Sequence, residues 1–199
     1  KKSQNKLLKV SKIVVKELNK LKIKSQINNP GVKTYTSSLS NIKRNKNQIL
    51  KLTDIFRASI IINDKKNLNK VKQLIKKFTK LNNFKILRIK DRFKNSVVMG
   101  YKDISFRLKD LENDNIIGEL QINLCSIQKF NKIVGHVAYE KTRHLKKTKQ
   151  NKNLTITINK IISKGYENSL KWPEKNCLDE FKNKEKHFIK KKKIRKKKK

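Results

Sequence analysis

Acidic residues are scarce in this chain. Its 199 residues hold 15 Asp and Glu against 54 Lys and Arg, a formal net charge of +39. No acidic run offsets that field, which opposes a compact state unless a polyanion neutralises it. The surplus exceeds what solubility requires and points to nucleic acid first and an anionic membrane surface second. Asn and Ile are abundant beside Lys, the mark of AT-rich codon usage, so part of the excess is compositional. Cysteine is nearly absent. Cys125 and Cys177 lie far apart without CxxC spacing, which argues against a disulfide framework or a zinc site and favours a reducing compartment. Long apolar runs are missing too: none approaches the ~18 residues of a membrane span. Apolar residues make up 35% of the chain, low for a globular protein but enough for one modest core. The chain starts at Lys1 and not at Met, as expected of a processed or trimmed product.

What is present is patterned. Leu7, Val10, Val14, Leu18 and Leu21 recur at spacings of three and four, predicting an amphipathic helix over 6–24. "NNPG" (28–31) breaks it, and a short helix is expected near 37–50. "DIFRASIIIND" (54–64) reads as a buried strand. Over 65–81, Leu68, Val71, Leu74, Ile75, Phe78 and Leu81 share one helical face, and "NFKILRIKD" (83–91) reads as a second strand. This β-α-β order predicts an α/β or α+β domain, a mixed sheet flanked by helices. "YKDISFRLKD" and "IIGELQINL" read as two more strands joined by the polar turn "LENDN". Residues 126–146 are expected to be helical, with Ile127, Phe130, Val134 and Val137 facing the sheet. From 150 the pattern weakens: either a helix with Ile158, Ile161 and Ile162 inward, or a segment that begins as a strand. Beyond Pro173 the chain is a basic extension. Three parts result: a basic N-terminal helix (1–30), a central domain (31–147) and a basic extension (148–199).

Five short motifs follow one another in the central part: "DIFRASI", "IKDRF" (89–93), "GYKDI" (100–104), "GELQINL" (118–124) and "GHVAYEKTR" (135–143). In order and in context they resemble the synthetase domain of the RelA/SpoT family, over roughly residues 31–147. The resemblance implies a nucleotidyltransferase-like fold. It also implies an activity, transfer of pyrophosphate from ATP to the 3′-hydroxyl of GDP or GTP, giving ppGpp-type products. On that likeness Asp54 and Glu119 would hold Mg²⁺ with hard oxygen ligands, at facing strand positions. Glu119 would also draw the proton from the attacking hydroxyl. Tyr101 would stack on guanine, and Gln121 would orient a ribose or base edge. Lys90 and Arg92 would meet phosphates, Arg with a bidentate fork and Lys as a point charge. His136 would contact phosphate or brace the strand, and Lys33 of "GVKT" (31–34) keeps a lysine of the ATP site. Three positions depart from the family pattern. Gly31 stands where an Arg is common, Ser59 where the Asp-led strand carries an Arg, and Ser105 where His is usual. Arg57 lies two residues before Ser59 and would substitute for the missing strand arginine. The acceptor half of the pocket thus matches better than the ATP half.

Charge and motifs favour different functions. The reading preferred from sequence is an RNA-bound accessory or structural protein of a large ribonucleoprotein, such as a mitochondrial ribosome, built on a repurposed domain of this type. Its partners would be rRNA and neighbouring ribosomal proteins, in an organellar matrix or alternatively the cytoplasm. The lysine tail would grip phosphates without reading sequence, through Lys190, Lys191, Lys192, Lys193, Arg195, Lys196, Lys197, Lys198 and Lys199. No cofactor is needed in that role. The alternative is an active nucleotide pyrophosphotransferase using Mg²⁺, acting on GDP or GTP or on RNA ends.

Overall fold

A computed structural model describes residues 1–44, 52–95, 97–114, 116–142 and 149–172. The element order is α1 (Lys2–Lys20), β1 (Ser25–Asn28), α2 (Tyr35–Arg44), β2 (Arg57–Ile62), α3 (Leu68–Leu81), β3 (Phe84–Asp91), β4 (Ile104–Asp110), β5 (Ile117–Leu124), α4 (Cys125–Phe130), α5 (His136–Thr142) and α6 (Lys149–Ser169). The five strands form one mixed sheet in the order β1-β2-β5-β4-β3. Only the central pair β2 and β5 is parallel; every other neighbour is antiparallel. The chain is therefore an α+β domain, as its pattern predicts.

The sheet has two unlike faces. Ala58, Ile60, Phe106, Leu120 and Ile122 are buried on one of them, beneath α1 and α3. Leu7, Val10, Val14 and Leu18 of α1 are fully buried there, each withdrawal from water contributing about 1.5–3 kcal/mol before entropy is counted. Their three-and-four spacing is the reason α1 is a helix. It begins earlier than the periodicity suggests and ends at Lys20. Asp64 starts the next helical segment by accepting from the Lys66 amide at 2.7 Å. Ile162 and Tyr166 of α6 belong to the same core as the residues of α1, so both flanking helices pack into the domain.

Several local features differ from the sequence reading. Residues 25–28 form the edge strand β1, where only a break was expected; four residues are too few to show a period. Asp54 precedes β2 and is not on a strand, and Arg57 is the residue that faces Glu119. A π-helical turn (Asn131–Gly135) separates α4 from α5, and its extra residue rotates α5 relative to α4. Val134 and Val137 are consequently exposed, and only Ile127 and Phe130 turn inward. Residues 149–169 are helical, with Ile162 buried and Ile161 exposed at 65%. Cys125 is disulfide-bonded, against the expectation from cysteine spacing. No helix among the described residues is long and apolar enough to cross a membrane.

Candidate functional site

The second face of the sheet is polar, and strand register orders it. Arg88 of β3 lies beside Arg107 of β4, Arg107 beside Glu119 of β5, and Glu119 beside Arg57 of β2. Two residues along, Lys90, Ser105, Gln121 and Ser59 make a second row. In-register neighbours share a face, so Arg88, Lys90 and Arg107 stand on the same face as Glu119.

Glu119 is held from several sides. Ser105 Oγ donates to its Oε1, and Gln121 Nε2 donates to its Oε2 at 3.0 Å. Its amide donates to the Phe56 carbonyl at 2.9 Å. The Phe56 ring also lies where a side chain on Gly118 would stand, 2.3 Å from an added Cβ. Gly118 is therefore required by close approach, and the strand beneath Glu119 is clamped.

Two cavities meet at this residue. The first, of about 180 Å³, is lined by Asp54, Arg88, Lys90, Arg92, Arg107 and Glu119, with Ser105 at its floor. Burial and then the neighbouring Arg88, Arg92 and Arg107 lower the Lys90 pKa, the signature of a crowded cationic wall awaiting an anion. Asp54 is held by Lys33 Nζ at 2.6 and 2.8 Å. The second cavity, of about 530 Å³, is less polar and carries Tyr101, Gln121, His136, Tyr139 and Tyr166. Tyr101 donates its hydroxyl to Asn123 Oδ1 at 3.0 Å, and the edge of Tyr166 packs on its ring at 5.7 Å. Burial drives the Tyr101 hydroxyl pKa well above its ordinary value and that of Tyr166 up to about 12, so both remain neutral donors. Arg92 and Glu119 line both cavities. Arg92 is ion-paired to the buried Asp103.

Sequence expectations are distributed unevenly over this geometry. Asp54, Lys90, Arg92 and Glu119 come together in the small cavity, and Tyr101, Gln121 and His136 in the large one. Lys33 reaches the site through Asp54. Arg57 lines neither of these cavities; its backbone is bound by Gln4 of α1, and its Nε is buried without a partner. His136 is exposed on the cavity rim and braces no strand. Of the three departures, Gly31 adopts φ +78° in open space, Ser59 meets Asn28 at 3.3 Å, and Ser105 binds Glu119. Sequence reasoning missed Arg88 and Arg107, which bring two further cations to the small cavity. Cations at every second position of "RIK" and "FRLK" were the available signal. Tyr166 was missed because it comes from α6, 65 residues after Tyr101 in the chain.

The carboxylates of Asp54 and Glu119 on one polar cavity suit Mg²⁺, which takes one or two carboxylates and completes its shell with phosphate and water. No cluster of three or more metal-ligating side chains occurs among the described residues.

No protein-family model matches the sequence, and no curated protein matches it. Solved structures do match the fold. A GTP pyrophosphokinase family protein from Streptococcus pneumoniae aligns with a TM-score of 0.56 at 17% identity, over 82% of this chain and 86% of its own. Small alarmone synthetase 1 from Bacillus subtilis, bound to its product pppGpp, aligns with a TM-score of 0.57 at 15% identity, over 93% and 95%. Small alarmone synthetase 2 from the same organism gives 0.54 at 17% identity, over 86% and 96%. The chain thus has the fold of these synthetases across nearly its whole described length, in agreement with the resemblance carried by its five motifs.

Proposed function

We propose that this protein transfers pyrophosphate from ATP to the 3′-hydroxyl of GDP or GTP. The observation that carries the reading is the meeting of two unlike cavities at Glu119 and Arg92. The small cationic cavity suits the donor's phosphates, and the larger one, with Tyr101, suits a nucleoside. Mg²⁺ held by Asp54 and Glu119 would neutralise phosphate charge there. Glu119 accepts the proton of the acceptor hydroxyl. The hydroxyl oxygen bonds to the β-phosphorus as the bond to the bridging α,β oxygen breaks, and AMP leaves. Arg88, Lys90 and Arg107 hold the charge that develops on the phosphates. The ribonucleoprotein role favoured from composition finds no counterpart among the structural neighbours, and its tail, Lys190 to Lys199, lies outside the described residues.

The test is direct. Protein incubated with labelled ATP, Mg²⁺ and GDP or GTP should release AMP and form a doubly substituted guanine nucleotide. Glu119→Gln should lower the rate about 10²–10⁴-fold while both nucleotides still bind. Wild-type protein that binds both nucleotides and transfers nothing would falsify the proposal.

A further inference from the structure

The apolar faces of α1 and α3 are spent on the core, which leaves their outer faces to lysine. Residues 2–20 and 65–81 contain 13 lysines and one acid, Glu17. On α1, Lys9, Lys12, Lys16 and Lys20 are exposed at spacings of three and four, a continuous stripe. On α3 and the turn before it, Lys66, Lys70, Lys77 and Lys80 form a second exposed stripe. The helices pack side by side, so the stripes belong to one surface. Glu17 does not discharge it: Lys20 holds that carboxylate at 2.8 Å, and Lys16 and Lys77 add to the field that lowers its pKa. By contrast α6 spreads four lysines over 21 residues and carries an acid of its own. The surface lies across the sheet from both cavities.

We propose that the outer face of the α1–α3 layer is a docking surface for the phosphate backbone of a nucleic acid, bound without sequence readout. The chemistry selects phosphates strung along a polyanion: two lysine rows meet repeating charge and release counterions. A lipid bilayer fits less well. A helix that lies in a membrane buries its apolar face among acyl chains, and Leu7, Val10, Val14, Leu18, Val71 and Ile75 are fully committed to the core. Exposed large apolar residues on the two helices are confined to Leu21 and Leu81, at their C-terminal ends. Because this face is remote from the polar face of the sheet, a bound nucleic acid leaves both cavities open.

Net charge alone would make any surface of this chain sticky, so the test compares two full-length variants of equal charge. One replaces Lys9, Lys12, Lys16, Lys70 and Lys77 with Gln. The other replaces the exposed Lys85, Lys141, Lys152, Lys160 and Lys164, which lie off this face. Binding of a labelled RNA duplex is titrated at several salt concentrations, with melting temperatures recorded for all proteins. The first variant should lose at least about tenfold in affinity at moderate salt, and its log–log salt slope should fall by about 2–4. The second should change far less in both. Equal losses in the two variants would reduce the effect to net charge and overturn the proposal. So would tight binding to phosphatidylserine vesicles, abolished only in the first variant, with RNA binding unaltered.

Discussion

Asp103 has a carboxylate with nowhere to put one of its oxygens. It is fully buried; Arg92 takes Oδ1, and Oδ2 has no hydrogen-bond partner. Burial raises its pKa from 3.8 to about 6, against the pull of Arg92. Between those values the folded state binds more protons than the unfolded state, so this group's contribution to stability falls as pH rises from about 4 to about 6. Asp103→Asn removes the titration. The stability difference between wild type and Asp103→Asn should therefore shift in favour of Asn by roughly 2–4 kcal/mol from pH 4 to pH 7. Urea unfolding at several pH values would show it, and parallel curves would refute it. At this scale the sequence is uneven as a guide. Tyr101, Glu119 and Gln121 stand in recognisable motifs, and they do line the cavities. Asp103 lies inside the same "GYKDI" motif, yet only the folded chain shows that it faces Arg92.

The α4–α6 corner shows what periodicity conceals. Tyr166 Oη donates to Asn131 Oδ1 at 2.6 Å, inside the π-helical turn, and lies 1.9 Å from where a Cβ on Gly135 would stand. Phe130 completes the corner, edge to face with Tyr166 at 4.7 Å. Gly135→Ala should lower stability by about 1–3 kcal/mol. In a Tyr166→Phe background the same change should cost less, because the obstructing hydroxyl is gone. A double-mutant cycle by denaturant unfolding measures the coupling, expected at about 1 kcal/mol or more; additive effects would contradict the contact. Similar reasoning explains β3. Its register shifts between Ile86 and Arg88, where a bulge absorbs one residue. Strict alternation along "NFKILRIKD" would put Ile86 and Arg88 on one face. The bulge instead sends Ile86 and Ile89 to the core and Arg88 and Lys90 to the site. Strands and helices were legible because each repeats a period; bulge, π-turn and four-residue edge strand have none to repeat.

Across the whole molecule, charge and core oppose each other. One core gathers side chains from α1, α3, α4, α6 and the sheet, while +39 of net charge acts to push the chain apart. Screening should relieve that strain: the Debye length drops to about 10 Å at 0.1 M salt. The melting temperature should rise as sodium chloride is raised from about 20 mM to about 300 mM, and a fall would show that attractive pairs outweigh repulsion. The composition predicts this repulsion, but only the fold shows that the lysine rows of α1 and α3 lie away from the cavities. The same partition bears on Glu119. It stands on a central strand whose neighbour Gly118 is pinned against Phe56, and Arg88, Lys90, Ser105 and Arg107 of the small cavity sit on the same sheet, while much of the larger cavity's wall comes from the residues between β3 and β4 and from the α5–α6 corner. Glu119 and the cations beside it are thus fixed to the sheet, and the outer wall of the larger cavity to the segments that connect it. Such a chain can reshape its larger cavity by rewriting those segments, without ever relocating the acid.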